Sequence, residues 1–155
     1  MSALAIGDTA PAINLPRDGG ETVSLADFKG KSVVLYFYPK DDTSGCTKEA
    51  IGFTESVAAF DALNTVILGV SKDSVKKHDK FIAKYDLKIA LLSDEDGTTC
   101  EDYGVWVEKS MYGKTYMGIE RATFLIDADG KIAQIWRKVK VPGHVDAVLD
   151  AVRAL

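Results

Sequence analysis

Apolar residues follow two different periods along this chain, and the switch between them marks its elements. The densest apolar run, Val33-Val-Leu-Tyr-Phe-Tyr38, is rich in β-branched and aromatic residues. Such a run predicts a central strand buried on both faces. Pro39 cannot donate to a sheet ladder, so the strand stops there. Asp41-Asp-Thr-Ser-Gly45 is a short polar loop of turn formers. Beyond Gly45 the period changes: Cys46, Ala50, Phe53, Val57 and Phe60 are spaced by four, three, four and three, which is one stripe of a helix.

The same reading extends over the remaining chain. Ala3 to Pro11 is an extended lead-in. Ala12–Pro16 and Glu21–Ser24 flank the turn Arg17-Asp-Gly-Gly20 as a β-hairpin. Ser24 caps a helical turn over Leu25–Phe28, which Gly30 ends. Buried strands are predicted at Asn64–Val70 and Lys88–Leu92. Between them a helix, capped by Asp73 or Ser74, runs to about Tyr85 with Val75, His78, Phe81, Ile82 and Tyr85 on one side. Asp94–Gly97 is a turn before a short helix, Thr98–Tyr103. Between Gly104 and Gly118, Val105-Trp-Val107 is apolar and Glu108 to Tyr116 reads as a polar, aromatic loop. Arg121–Ile126 and Lys131–Trp136 form a hairpin about Asp127-Ala-Asp-Gly130. Pro142-Gly143 opens a last helix with Val145, Val148, Leu149 and Val152 on its apolar side. Strand–helix alternation implies parallel strands with right-handed crossovers, and the late hairpin adds antiparallel ones. The expectation is an α/β, thioredoxin-like fold: a central mixed β-sheet with helices on both faces and an N-terminal β-hairpin extension. With no internal repeat, linker or low-complexity segment, residues 1–155 read as one domain.

The totals remove several function classes. A net charge of −4 offers no basic footprint, so no nucleic acid partner is expected. No apolar run approaches the roughly 20 residues that span a bilayer, so no membrane association is expected. The first residues, Met-Ser-Ala-Leu-Ala-Ile-Gly-Asp, lack the basic and long apolar regions of a secretory signal. The two cysteines, Cys46 and Cys100, form neither Cys-x-x-Cys nor a zinc pattern. A cytoplasmic, reducing setting is expected, with both thiols free and no metal or cofactor.

Cys46 is therefore placed in the first turn of a helix that starts at the carboxyl end of a central strand, where open α/β sheets keep their sites. The first turn presents unpaired N–H groups and the positive end of the helix dipole, and both favour a thiolate over a thiol. Two readings follow from position alone: a reactive nucleophile, or a small apolar residue heading a core stripe.

Pro39, Thr43 and Cys46 form the pattern Pro-x3-Thr-x2-Cys, and Arg121 opens a late strand. With these, the chain resembles a peroxiredoxin. Tyr38-Pro-Lys-Asp-Asp-Thr-Ser-Gly-Cys-Thr-Lys-Glu-Ala50 is similar to the PrxQ (bacterioferritin comigratory protein) subfamily. The likeness extends through Lys80-Phe-x-x-Lys-Tyr85, Leu91-Leu-Ser-Asp94, Tyr103-Gly-Val-Trp106, Arg121-x-Thr-Phe-Leu-Ile-Asp127 and Gly143-His144. The resemblance implies a peroxidase of hydrogen peroxide and organic hydroperoxides. Cys46 is its peroxidatic cysteine, oxidised to a sulfenic acid. It implies that Thr43 donates to the thiolate and accepts from the peroxide, and that Arg121 is a permanent cation stabilising thiolate and oxyanion. Pro39 shields the sulfur, and Glu49 holds the arginine. Taken singly, Thr43 reads as a loop residue or cap, Arg121 as a surface residue and Glu49 as a helix-start carboxylate. His78 and His144 read as structural residues, Trp106 and Trp136 as core or groove lining, and Arg137, Lys138 and Lys140 as a solvated face.

The chain departs from the subfamily at its second cysteine. Ile51 and Ile82 occupy the two positions where PrxQ proteins carry a resolving cysteine, and Ser44 replaces a frequent proline. The remaining thiol is Cys100. The implied fold puts its helix on the opposite face of the sheet from Cys46, and a disulfide needs Cα atoms within about 7 Å. The expectation is a one-cysteine mechanism resolved by an external thiol, either thioredoxin or glutathione with glutaredoxin, in a monomer or weak homodimer. The alternatives are resolution by Cys100 after local unfolding, a redox sensor or holdase chaperone using the same thiol, and a dithiol oxidoreductase, which lacks its second cysteine here.

Overall fold

The computed structural model describes residues 4–155, so Ala3, the first residue of the expected lead-in, lies outside it. In chain order the elements are β1 (Asn14–Pro16), β2 (Thr22–Ser24), a 3-10 turn (Leu25–Phe28), β3 (Ser32–Phe37), α1 (Ser44–Glu55), α2 (Val57–Ala62), β4 (Thr65–Ser71), α3 (Val75–Tyr85), β5 (Ala90–Ser93), α4 (Thr99–Asp102), β6 (Trp106–Met111), β7 (Lys114–Ile119), β8 (Ala122–Ile126), β9 (Ile132–Trp136) and α5 (His144–Arg153). The main sheet has the order β5-β4-β3-β8-β9. Strands β3, β4 and β5 run parallel, while β8 is antiparallel to β3 and to β9. This is the thioredoxin-like mixed sheet expected from the strand–helix alternation, with the N-terminal hairpin β1–β2 added to it.

The sheet divides the core into two layers. Along β3 the side chains alternate: Val33, Leu35 and Phe37 enter one layer, and Val34 and Tyr36 enter the other. The first layer also holds Cys100, Tyr103, Val105 and the N-terminal hairpin residues Leu15 and Val23. The second holds Cys46, Ala50, Phe53, Phe60, Phe81 and Val148, from α1, α2, α3 and α5. Both faces are covered, which is why β3 is apolar at every position from Val33 to Phe37 rather than at alternate ones.

Two expectations need correction. The stripe from Cys46 to Phe60 is not one helix. At Ser56 (φ −100°, ψ 3°) the backbone leaves the helix, and α2 restarts the stripe. Phe53 and Phe60 still pack, with ring centroids 6.0 Å apart. Apolar spacing reports which face is buried, and a bend keeps that face. The second correction concerns Glu108 to Tyr116, which is no loop: β6 and β7 pair antiparallel from Trp106↔Ile119 to Met111↔Lys114. Tyr112 (φ 53°) and Gly113 (φ 77°) turn the chain with the double positive φ of a tight hairpin. The hairpin stands apart from the main sheet and most of its residues are exposed, so no face imposes an apolar alternation. Among the described residues, no helix is long and apolar enough to cross a membrane.

Candidate active site

The site assembles at the carboxyl end of β3. Strand β3 ends at Phe37, and α1 begins at Ser44, which makes Cys46 a first-turn residue with only 1% of its surface exposed. Strand β8 runs antiparallel beside β3 with Phe37 opposite Ala122. Arg121, the residue before β8, is thereby delivered to the same end of the sheet. Its Nη2 donates to Cys46 Sγ at 3.3 Å and its Nη1 to Glu49 Oε1 at 2.7 Å. Glu49 lies three residues along α1 from Cys46, on the same helical face. A Cβ built on Gly45 would stand 3.1 Å from Arg121 Nη2, so this position stays small because the guanidinium passes over it.

Charge at the site is concentrated and largely dry. Burial pushes Glu49 up to about 7, against the pull of Arg121, and its Oε2 is buried without a hydrogen-bond partner among the described residues. Burial works against the Arg121 cation, but the charges of Glu49 and Cys46 outweigh it and raise its pKa further. Pro39 and Thr43 are exposed. The Thr43 hydroxyl donates to the Lys40 carbonyl at 2.8 Å.

Beneath the loop lies a buried polar network that sequence reading missed. Asp41 accepts from Tyr38 Oη at 2.5 Å and from His78 Nδ1 at 2.7 Å. The second His78 nitrogen, Nε2, faces the Leu92 carbonyl at 2.9 Å. Both nitrogens face oxygen partners; burial opposes a charged ring, but Asp41 raises its pKa above the usual histidine value. Asp73 Oδ2 accepts from the Asp41 N–H at 2.8 Å and from Ser71 Oγ at 2.7 Å. The signal was present: Asp41 and Asp73 each stand just past the end of a parallel strand, and β3 and β4 are neighbours. His144 is the opposite case. It shares a 2.8 Å hydrogen bond with Thr123 Oγ1, and burial, aided by Arg121, pushes it down to about 4.

Cys100 is not part of this assembly. It is fully buried in the other layer, at the start of α4. Asp94 Oδ2 accepts from its N–H at 2.8 Å. Burial, then the Asp94 charge, raises its thiol pKa far above the ordinary value. Both cysteines are free. Trp106 and Trp136 are half-buried. Arg137 pairs with Glu120 at 2.8 Å. No cluster of metal-binding side chains occurs among the described residues.

Comparison with known proteins gives a consistent result. The AhpC/TSA family matches residues 6–135. Peroxiredoxin Bcp of Bacillus subtilis is 51% identical over 150 residues, spanning 97% of this chain and 96% of its own. A Xylella fastidiosa PrxQ cysteine-to-serine mutant superposes with a TM-score of 0.93 at 42% identity, covering 99% of this chain and 98% of its own. The bacterioferritin comigratory protein of Xanthomonas campestris, whose structure was studied for its alkyl peroxide reduction activity, superposes with a TM-score of 0.87 at 48% identity. That match covers 92% of this chain and 90% of the other.

Proposed function

The chain belongs to the AhpC/TSA family as a peroxiredoxin of the PrxQ/Bcp type, and we propose that Cys46 is the thiol its peroxide substrate oxidises. The observation that carries this reading is the 3.3 Å approach of Arg121 Nη2 to Cys46 Sγ. A guanidinium cannot release its proton at neutral pH, so it is a fixed positive charge beside the sulfur. The thiolate attacks the terminal oxygen of the hydroperoxide. An S–O bond forms, the O–O bond breaks, and the alkoxide or hydroxide leaves and takes up a proton. The products are a Cys46 sulfenic acid and an alcohol or water. Charge moves from sulfur to the leaving oxygen, and Arg121 lies close to both ends of that movement. Glu49 positions the guanidinium through the 2.7 Å bond. Thr43, after rotation of its hydroxyl, donates to the sulfur or holds the peroxide. Pro39 forms one wall of the mouth.

A thiol from outside the chain completes the cycle. Its thiolate attacks the sulfenic sulfur, a mixed disulfide forms and hydroxide leaves; a second thiol then releases Cys46. Ile51 and Ile82 hold the positions where the subfamily carries resolving cysteines, and Cys100 lies in the opposite layer, which supports this route over an internal disulfide. Thioredoxin and glutathione with glutaredoxin are the candidate donors. The alkyl peroxide activity of the Xanthomonas protein supports organic hydroperoxides as substrates alongside hydrogen peroxide. Intact-mass analysis after one equivalent of peroxide tests the reading. The expected product is one added oxygen at Cys46, trappable by dimedone. A Cys46–Cys100 disulfide as the main product would overturn the one-cysteine route.

A further inference from the structure

The hairpin β6–β7 brings a second cation to the site. Lys109 lies opposite Tyr116 in the hairpin register, two pairs along from Val107↔Gly118 and therefore on the same face of the hairpin. Its side chain leans toward Gly118: a Cβ built there would stand 3.2 Å from Lys109 Cδ and 3.5 Å from Cε. Gly118 lies three residues before Arg121, so the lysine stem points along β7 toward the catalytic end of the sheet. Burial and the Arg121 charge weaken the hold of Lys109 on its proton, while Cys46 and Glu120 strengthen it. Glu120 is already committed to Arg137 Nε at 2.8 Å and to the Lys138 N–H at 3.2 Å. Among the described residues, no carboxylate pairs with Lys109 and no acceptor hydrogen-bonds it. A half-buried lysine next to an arginine, with no carboxylate of its own, is an arrangement that an incoming anion stabilises.

On the footing of the peroxidase reading above, we propose that Lys109 sets the charge preference of the site, favouring hydroperoxides that carry a carboxylate over neutral ones of the same size. Lys109 supplies the attraction that Arg121 cannot extend outward, because Arg121 is occupied by Glu49 and Cys46. Met111 and Tyr116, exposed on the same face of the hairpin as Lys109, leave that approach open to solvent.

The test compares tert-butyl hydroperoxide with 3-hydroperoxy-3-methylbutanoate, which differs by one carboxylate. Dimedone trapping and mass analysis give the rate of Cys46 oxidation by each. In Lys109→Met the ratio of the anionic to the neutral rate should fall about three- to tenfold, with the neutral rate nearly unchanged. Lys109→Arg should retain the ratio. In the unmodified protein, rising salt should lower the ratio toward that of Lys109→Met, a readout that needs no variant to fold. An unchanged ratio in Lys109→Met, or an equal loss on both peroxides, overturns the proposal while leaving Cys46 as nucleophile. Failure of either peroxide to oxidise Cys46 in the unmodified protein overturns the parent reading and this one together.

Discussion

The two cysteines occupy almost the same local position and have opposite surroundings. Each sits in the first turn of a helix that follows a parallel strand, Cys46 after β3 and Cys100 after β5. Each is buried to within 1% of its surface. At Cys46 the neighbouring charge is the Arg121 guanidinium, 3.3 Å from sulfur. At Cys100 it is the Asp94 carboxylate, which bonds the N–H groups of Thr99 and Cys100 at 3.2 and 2.8 Å. Asp94 takes up the helix-start donors for itself and adds a negative charge beside the thiol. The two thiols share a helix start and near-complete burial, so what distinguishes their surroundings is the sign of the charge that tertiary packing brings to each.

That comparison can be broken most directly by exchanging each sulfur for oxygen. Cys46→Ser should reduce hydroperoxide consumption to the background of the reductant alone, whereas Cys100→Ser should turn over like the parent in a steady-state assay. Turnover lost in both variants would make the two sulfurs partners. Next in size is the charge itself. Arg121→Met should lower the rate of Cys46 oxidation by about 10²- to 10³-fold in stopped-flow measurements. Arg121→Lys should recover only part of this, since an ammonium cannot bridge Glu49 and the sulfur.

Glu49 supplies a pH test. Its folded-state value of about 7 lies above the ~4.3 of an unfolded chain, so the folded protein holds the extra proton. The group is neutral toward stability below its unfolded pKa; its destabilising effect grows between about 4.3 and about 7 and levels off above that. Thermal melting from about pH 4 to pH 8 should show the parent losing stability relative to Glu49→Gln; a constant difference would show Glu49 ionising alike in the folded and unfolded chain. The smallest effect is on the Cys100 side. Asp94→Asn should cost about 1–2 kcal/mol by chemical denaturation through loss of a charged cap. Cys100 should nonetheless remain unreactive toward iodoacetamide in the native state, because burial is the larger cause of its raised pKa.

Local pattern made some of this legible. Strand β3 reads from an unbroken apolar run because both of its faces are covered, and the loop to α1 reads from Pro39 and the turn formers Asp41, Asp42 and Thr43, while Ser44 and Gly45 already open the helix. The β6–β7 hairpin was hidden for the converse reason: with little buried against it, its side chains carry no period. The Ser56 break was hidden because a bent helix and a straight one bury the same stripe. The Asp41–His78 pair spans 37 positions, and only the parallel packing of β3, β4 and β5 closes that distance.

By itself the sequence determined the local conformations: where strands stop, where helices start, and that a cysteine heads each of two helices. Those outcomes depend on neighbours within a few positions, through backbone dihedral limits, capping and burial period. Only the tertiary structure decided which charge each sulfur meets. Arg121 reaches Cys46 because β8 pairs with β3 in the register Phe37↔Ala122, and a slip of one residue would turn every β8 side chain to the other layer. Electrostatic energy depends on separation in space, and residues 75 positions apart acquire a separation only when the sheet forms.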